Sequence, residues 1–138
     1  MFDLLSAVAF AVGHTFAVSS PLATTCFLPN SELKMVNTEK TIAALGIDLP
    51  PPPPPAANYI PIQKDGNLLY FSGHIPFNND GSLLTGKVGT GGKSVEEGYN
   101  AARQVALNII ASMKKELGDL DRVDQIVKLF GVVHSTDD

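Results

Sequence analysis

The chain has 138 residues, 10 of them Lys or Arg and 14 Asp or Glu, for a formal net charge of −4. That length fits one domain, and the acidic balance offers no basic stripe for nucleic acid. A single cysteine, Cys26, excludes an intrachain disulfide and a cysteine-based zinc cluster.

Residues 1–34 differ from the rest. The stretch MFDLLSAVAFAVGHTFAVSSPLATTCFLP is apolar and small, with one charge, Asp3, before Glu32. It has no arginine for a mitochondrial presequence and no basic start for a secretory signal. Gly13, His14 and several Ser and Thr keep it short of the roughly 18 clean apolar residues of a membrane helix. It reads as a non-catalytic N-terminal extension or leader. A weak signal peptide, an organelle leader and an over-long reading frame all fit, with Met35 as an alternative start. The expected location is the cytoplasm, or an organelle if residues 1–34 are a leader. No membrane partner is expected.

Asn37 to Leu45 predicts a short helix, capped by Asn37 or Thr38 and stopped by Gly46. Pro50 to Pro55 then form six consecutive prolines, a stiff polyproline II stretch. It could feed an SH3- or WW-type groove. A spacer between helix and sheet is the simpler reading. Tyr59 to Gln63 predicts a strand, Lys64-Asp65-Gly66-Asn67 a hairpin turn, and Leu68 to Gly73 the returning strand. A turn at Asn79-Asp80-Gly81 and a short strand around Leu83 to Val88 follow.

The long helix is the clearest element. Ser94 and Glu97 make an S-x-x-E capping box. Val95, Tyr99, Ala102, Ala106, Ile109, Ile110, Met113 and Leu117 recur at helical spacing as its predicted apolar face. Gly118 ends it. Asp119 to Val123 predicts a turn and Gln125 to Val133 a last strand. The order β-β-β-α-β predicts an α+β domain built on a crossover unit.

Motifs with chemistry are few. GKVGTGGKS, Gly86 to Ser94, resembles a phosphate loop, but Lys87 stands where the first glycine is required. A flexible loop leading into a capped helix explains it better, although free N–H groups there could hold an anion. His14, His74 and His134 lack metal-ligand spacing. Ser72 has no evident base partner, and the carboxylates suggest no glycosidase pair.

Residue identity goes further. NYIPIQKDGNLLYFSGHIPF, TGKVG, SVEEGYNAARQVALNIIASMKKELGDLDRV and IVKLFGVV together resemble the Rid/YjgF family, the reactive-intermediate deaminases also labelled endoribonuclease L-PSP. The resemblance runs from about Thr38 to the last residue, giving a partial domain over residues 35–138 that includes the Pro-rich segment 50–55. IAALGIDLPPPPPPAANY is similar to the chorismate-mutase-like branch.

The resemblance implies a Rid/chorismate-mutase-like sheet and a homotrimer with clefts between subunits. It implies hydrolysis of enamines and imines of the 2-aminoacrylate type to 2-keto acid and ammonia, with no metal or organic cofactor. Carried over by residue, Tyr59 falls on the family's cleft-lining tyrosine, and Ser72 and Gly73 on residues bordering the ligand. The family's carboxylate-gripping arginine, its water-placing acidic residue, a second helix and the final strands lie beyond Asp138. The chain is therefore expected to be an inactive part of a deaminase, with its catalytic residues unassigned. A non-catalytic module for a small-molecule ligand is the alternative. The RNA-cleaving reading conflicts with the acidic balance.

Overall fold

The computed structural model describes residues 9–11, 14–18, 37–52 and 58–137. In chain order these hold β1 (Ala9–Ala11), β2 (His14–Val18), α1 (Thr38–Ala44), β3 (Ile62–Asp65), β4 (Leu68–Phe71), α2 (Val95–Leu117), β5 (Val123–Lys128) and β6 (Gly131–Val133). Helices and antiparallel ladders together make the expected α+β arrangement. Two short sheets form, one of β1 and β6 and one in the order β3-β4-β2-β5.

The hairpin forms where the turn chemistry predicts. Gly66 takes a φ of 56°, a left-handed value that glycine reaches without a Cβ penalty. β3 and β4 then pair from Ile62↔Phe71 to Asp65↔Leu68. β3 starts later than predicted, so Tyr59 and Ile60 lie ahead of the ladder. β4 stops at Phe71, and Ser72 and Gly73 fall just beyond it.

Leu69 and Phe71 point from β4 into the core, whereas Tyr70 between them faces outward, the period-two alternation of a half-buried strand. Across from them α2 contributes Val105, Ile109, Met113 and Leu117, with Leu120 closing the end. Ile42 and Leu49 pack against this cluster from the α1 side.

α2 begins and ends as its sequence dictates. Ser94 Oγ accepts from the Glu97 N–H while the Glu97 carboxylate accepts from the Ser94 N–H, and Gly118 closes the helix at φ 76°. Its buried face agrees with the predicted one at Ile109, Met113 and Leu117 and departs from it in the N-terminal half. Val95 and Tyr99 are 78% and 70% exposed, and Ala102 and Ala106 are exposed too. The buried stripe runs through Ala101, Val105, Asn108, Ser112 and Met113. Counting apolar residues misplaces part of the face because two polar side chains sit on the true one.

α1 is seven residues long and Asn37 makes no side-chain cap there. Glu39 fixes the helix instead. Its carboxylate accepts from Lys114 Nζ at 2.8 Å and from the Leu120 N–H at 3.2 Å, and its own N–H donates to Asp121 Oδ1 at 3.0 Å.

Two further expectations change. The strand around Leu83 to Val88 is absent as a strand: Leu83 bridges Phe77, and Val88 bridges Lys93 and Ser135 in isolation. The single last strand is two, β5 and β6, in different sheets. Within the N-terminal extension or leader 1–34, β2 lies between β4 and β5 and pairs antiparallel with both. The six-proline run divides at the edge of the described residues: Pro50 to Pro52 lie within them and Pro53 to Pro55 outside; Pro50 is buried.

Candidate wall of a ligand site

Tyr59, Ser72 and Gly73 come together at the open end of the β3–β4 hairpin. The Ser72 N–H donates to the Pro61 carbonyl at 2.9 Å. Its hydroxyl donates to the Ile60 carbonyl at 2.6 Å. Tyr59 Oη donates to the Gly73 carbonyl at 3.4 Å, at the long end of hydrogen-bond range. Tyr59 is 40% exposed. The three residues form one partly open surface, with an aromatic ring, a small side chain and bare backbone side by side.

Behind that surface lies a polar bridge. His74, 6% exposed, places Nδ1 at 3.0 Å from the Ser72 carbonyl and Nε2 at 3.1 Å from Ser112 Oγ. Ser112 Oγ is also 2.9 Å from the Asn108 carbonyl. Asn108 Nδ2 donates to the Ile75 and Phe77 carbonyls at 3.2 and 3.1 Å, and Asn108 Oδ1 accepts from Gln104 Nε2 at 3.1 Å. The segment from Ser72 to Phe77 has left the β3 ladder, and Asn108 of α2 satisfies its Ile75 and Phe77 carbonyls instead.

The Ser72 carbonyl can only accept, so His74 Nδ1 carries a proton. Ser112 has one hydroxyl proton for two acceptors, Nε2 and the Asn108 carbonyl.

Tyr59, Ser72 and Gly73, named by family resemblance, do lie together, but the polar groups behind them carry no family signal. His74 had no assigned role, and Gln104, Asn108 and Ser112 were not singled out. Their signal was legible: three polar residues at steps of four on a helix share one face.

The glycine-rich loop does not hold its N–H groups free. Gly89 donates to Lys93, Gly92 to Gly89, Lys93 to Lys87 and Val88 to His134, all to backbone carbonyls. The Lys93 ammonium sits 3.0 Å from Glu97. Glu97 is lowered to about 2, first by the Ser94 N–H it accepts and then by Lys93. With these four N–H groups and the Lys93 ammonium engaged within the protein, the loop is a poor cradle for phosphate.

The two arginines of the chain, Arg103 and Arg122, lie on α2 and the turn after it. Arg122 donates to the Leu117 carbonyl at 2.8 Å at the C-terminal end of α2, and Arg103 is exposed on that helix. An open groove of about 740 Å³ lies elsewhere, between α1, the first prolines and Lys114 and Lys115. None of the wall residues lines it. No helix among the described residues is long and apolar enough to cross a membrane.

Comparison with known proteins adds three findings. Residues 39–137 match the family described as "YjgF/chorismate_mutase-like, putative endoribonuclease". Protein TCP17 of Trypanosoma cruzi is 44% identical over 92 residues, a match covering 67% of this chain and 57% of that protein. The chain thus spans little more than half the length of that curated relative. No solved structure matches the chain significantly.

Proposed function

The chain belongs to the YjgF/chorismate mutase-like family, and on that premise we propose that it carries the ligand-binding wall of an enamine/imine hydrolase. The ligand is a small carboxylate of the 2-aminoacrylate type. Water adds to the imine carbon, the carbon–nitrogen bond breaks, and 2-keto acid and ammonia leave. The observation that carries this reading is the convergence of Tyr59, Ser72 and Gly73 at one open surface.

On this reading the wall orients the ligand and does not grip its carboxylate. That task suits the planar fork of an arginine, and both described arginines are engaged or exposed elsewhere. The 138 residues therefore bind without accelerating the reaction. A homotrimer, with the wall facing a neighbouring subunit, is part of the same proposal. It is supported by Ile126, Val127, Leu129, Phe130, Val132 and Val133, all 44% to 66% exposed, an unusual run of open apolar side chains for a lone domain.

A second reading, a non-catalytic binding module, is favoured by one observation. The Ser72 hydroxyl is engaged with Ile60, and the His74 ring with Ser72 and Ser112. Neither is placed to activate a water. The RNA cleavage in the family's description fits a net charge of −4 less well than either.

Titration of the 15N-labelled chain with pyruvate, the product keto acid, tests the wall. The Ser72 and Gly73 amides should shift in a saturable way, and Tyr59→Phe should weaken the effect. Unmoved amides would sink the proposal. In parallel, keto-acid release from 2-aminoacrylate generated in situ should match the uncatalysed rate. Faster release would show that the chain needs no further arginine.

A further inference from the structure

The peptide that joins Ser72 to Gly73 sits at the centre of the wall. Its carbonyl, on Ser72, lies 3.0 Å from His74 Nδ1, and the other ring nitrogen lies 3.1 Å from Ser112 Oγ on α2. The ring is 6% exposed, so this carbonyl is directed inward. The peptide is trans, as are all those of the described residues. In a trans peptide the C=O and the N–H point in opposite directions. The N–H of the same unit, on Gly73, is therefore directed away from the ring. It makes no hydrogen bond among the described residues. The groups around it are held: the Ser72 N–H by the Pro61 carbonyl, and the Ile75 and Phe77 carbonyls by Asn108.

We infer that His74 is a positioning residue for the wall: by holding the Ser72 carbonyl it sets the orientation of the Ser72–Gly73 peptide, and so presents the Gly73 N–H to an acceptor oxygen of the ligand. This role rests on the reading of the wall as the ligand site. Gly73 lacks a Cβ, so turning the peptide plane over costs little at that residue. An orientation that the backbone leaves open has to be fixed by a bond. Tyr59 reaches the Gly73 carbonyl, which belongs to the next peptide, at a long 3.4 Å. His74 supplies the shorter bond, and supplies it to the peptide whose N–H is unmet. Ser112 ties the ring to α2, where Asn108 anchors the segment that follows. The ring thus transmits the position of the helix to the wall. Hydrogen bonds in series polarise one another, so an acceptor on the Gly73 N–H should strengthen the bond from Nδ1 to the Ser72 carbonyl.

Two substitutions separate positioning from packing. His74→Asn keeps a side-chain N–H near the place of Nδ1, whereas His74→Gln keeps one near Nε2. Pyruvate titrations of the 15N-labelled full chain, followed at the Gly73 amide, read the effect. The dissociation constant of His74→Asn should match the native one. That of His74→Gln should rise about tenfold or more, as expected when one hydrogen bond to a charged ligand is lost. Equal constants for the two variants, or constants that follow their urea midpoints, overturn the positioning role. The native chain gives a second readout that needs no variant to fold. As pyruvate is added, the His74 Nδ1–H resonance should move downfield with the same midpoint as the Gly73 amide. A ring proton that stays still beside a shifting Gly73 amide overturns the role and leaves the wall standing. A Gly73 amide that ignores pyruvate in the native chain sinks the wall itself, and the role with it.

Discussion

Replacing Asn108 tests the polar bridge behind the wall. Asn108 is 1% exposed, donates to two carbonyls of the Ile75–Phe77 segment and accepts from Gln104. Asn108→Ala removes all three bonds. At about 1 kcal/mol for each of the two net bonds to the carbonyls, plus about 1–2 kcal/mol for leaving them poorly solvated, the expected loss is about 3–4 kcal/mol. With a urea dependence of about 1–3 kcal/mol/M, the unfolding midpoint should fall by about 1–4 M. Asn108→Asp is nearly isosteric but turns an acceptor toward two carbonyl oxygens. Its buried carboxylate should be disfavoured, raising the folded-state pKa above about 3.9. The folded protein then binds the proton more tightly than the unfolded one. The Asp variant should therefore be weakest at neutral pH and regain stability as pH falls through the folded pKa. Urea curves at pH 7 and pH 5 by far-UV circular dichroism read both effects. An Ala variant within about 0.5 kcal/mol of the native chain, the range of an ordinary surface change, would refute the reasoning. So would an Asp variant that loses stability on acidification faster than the native chain.

Other expectations follow from the loop, the cap and the sheet. Glu97 is lowered from 4.5 to about 2, so its capping contribution is complete above about 4.5 and fades as pH falls toward about 2; carboxyl NMR should show that titration, and Lys93→Ala should move it upward. Gly92→Ala would drive a Cβ into the Lys87 carbonyl and should destabilise by about 1–3 kcal/mol, read as a lower thermal midpoint. Phe130→Glu, at a side chain 50% exposed, should leave the fold intact and reduce self-association in sedimentation; an unchanged mass at high concentration would exclude that surface from the interface.

The local devices of this fold were legible and the tertiary ones were not. Gly66-Asn67 and the Ser94/Glu97 box act through neighbours in sequence, so their geometry is written in a few residues. The buried face of α2 was partly misplaced because Asn108 and Ser112 are chosen for carbonyls of the 72–77 segment, which periodicity cannot see. The strand expected at Leu83 to Val88 fails because its partners are single bridges to Phe77, Lys93 and Ser135. At the wall, Tyr59, Ser72 and Gly73 were found through family likeness and do converge. A lone histidine such as His74 carries no spacing signal; contacts with Ser72 and Ser112 reveal its place.

β2 also bears on how the chain acquires its shape. Residue 16 pairs with residue 69 on one side and with residue 126 on the other. Such distant pairings slow folding, since loop closure must precede the contacts that reward it. During synthesis the first strand emerges long before β5 exists. Until the ribosome has passed Lys128, β2 has at most one neighbour, and the hairpin of β3 and β4 forms beside it with its inner edge half served. Aggregation should therefore concentrate in nascent and refolding chains, and slower translation across residues 72–122 should lower the soluble yield.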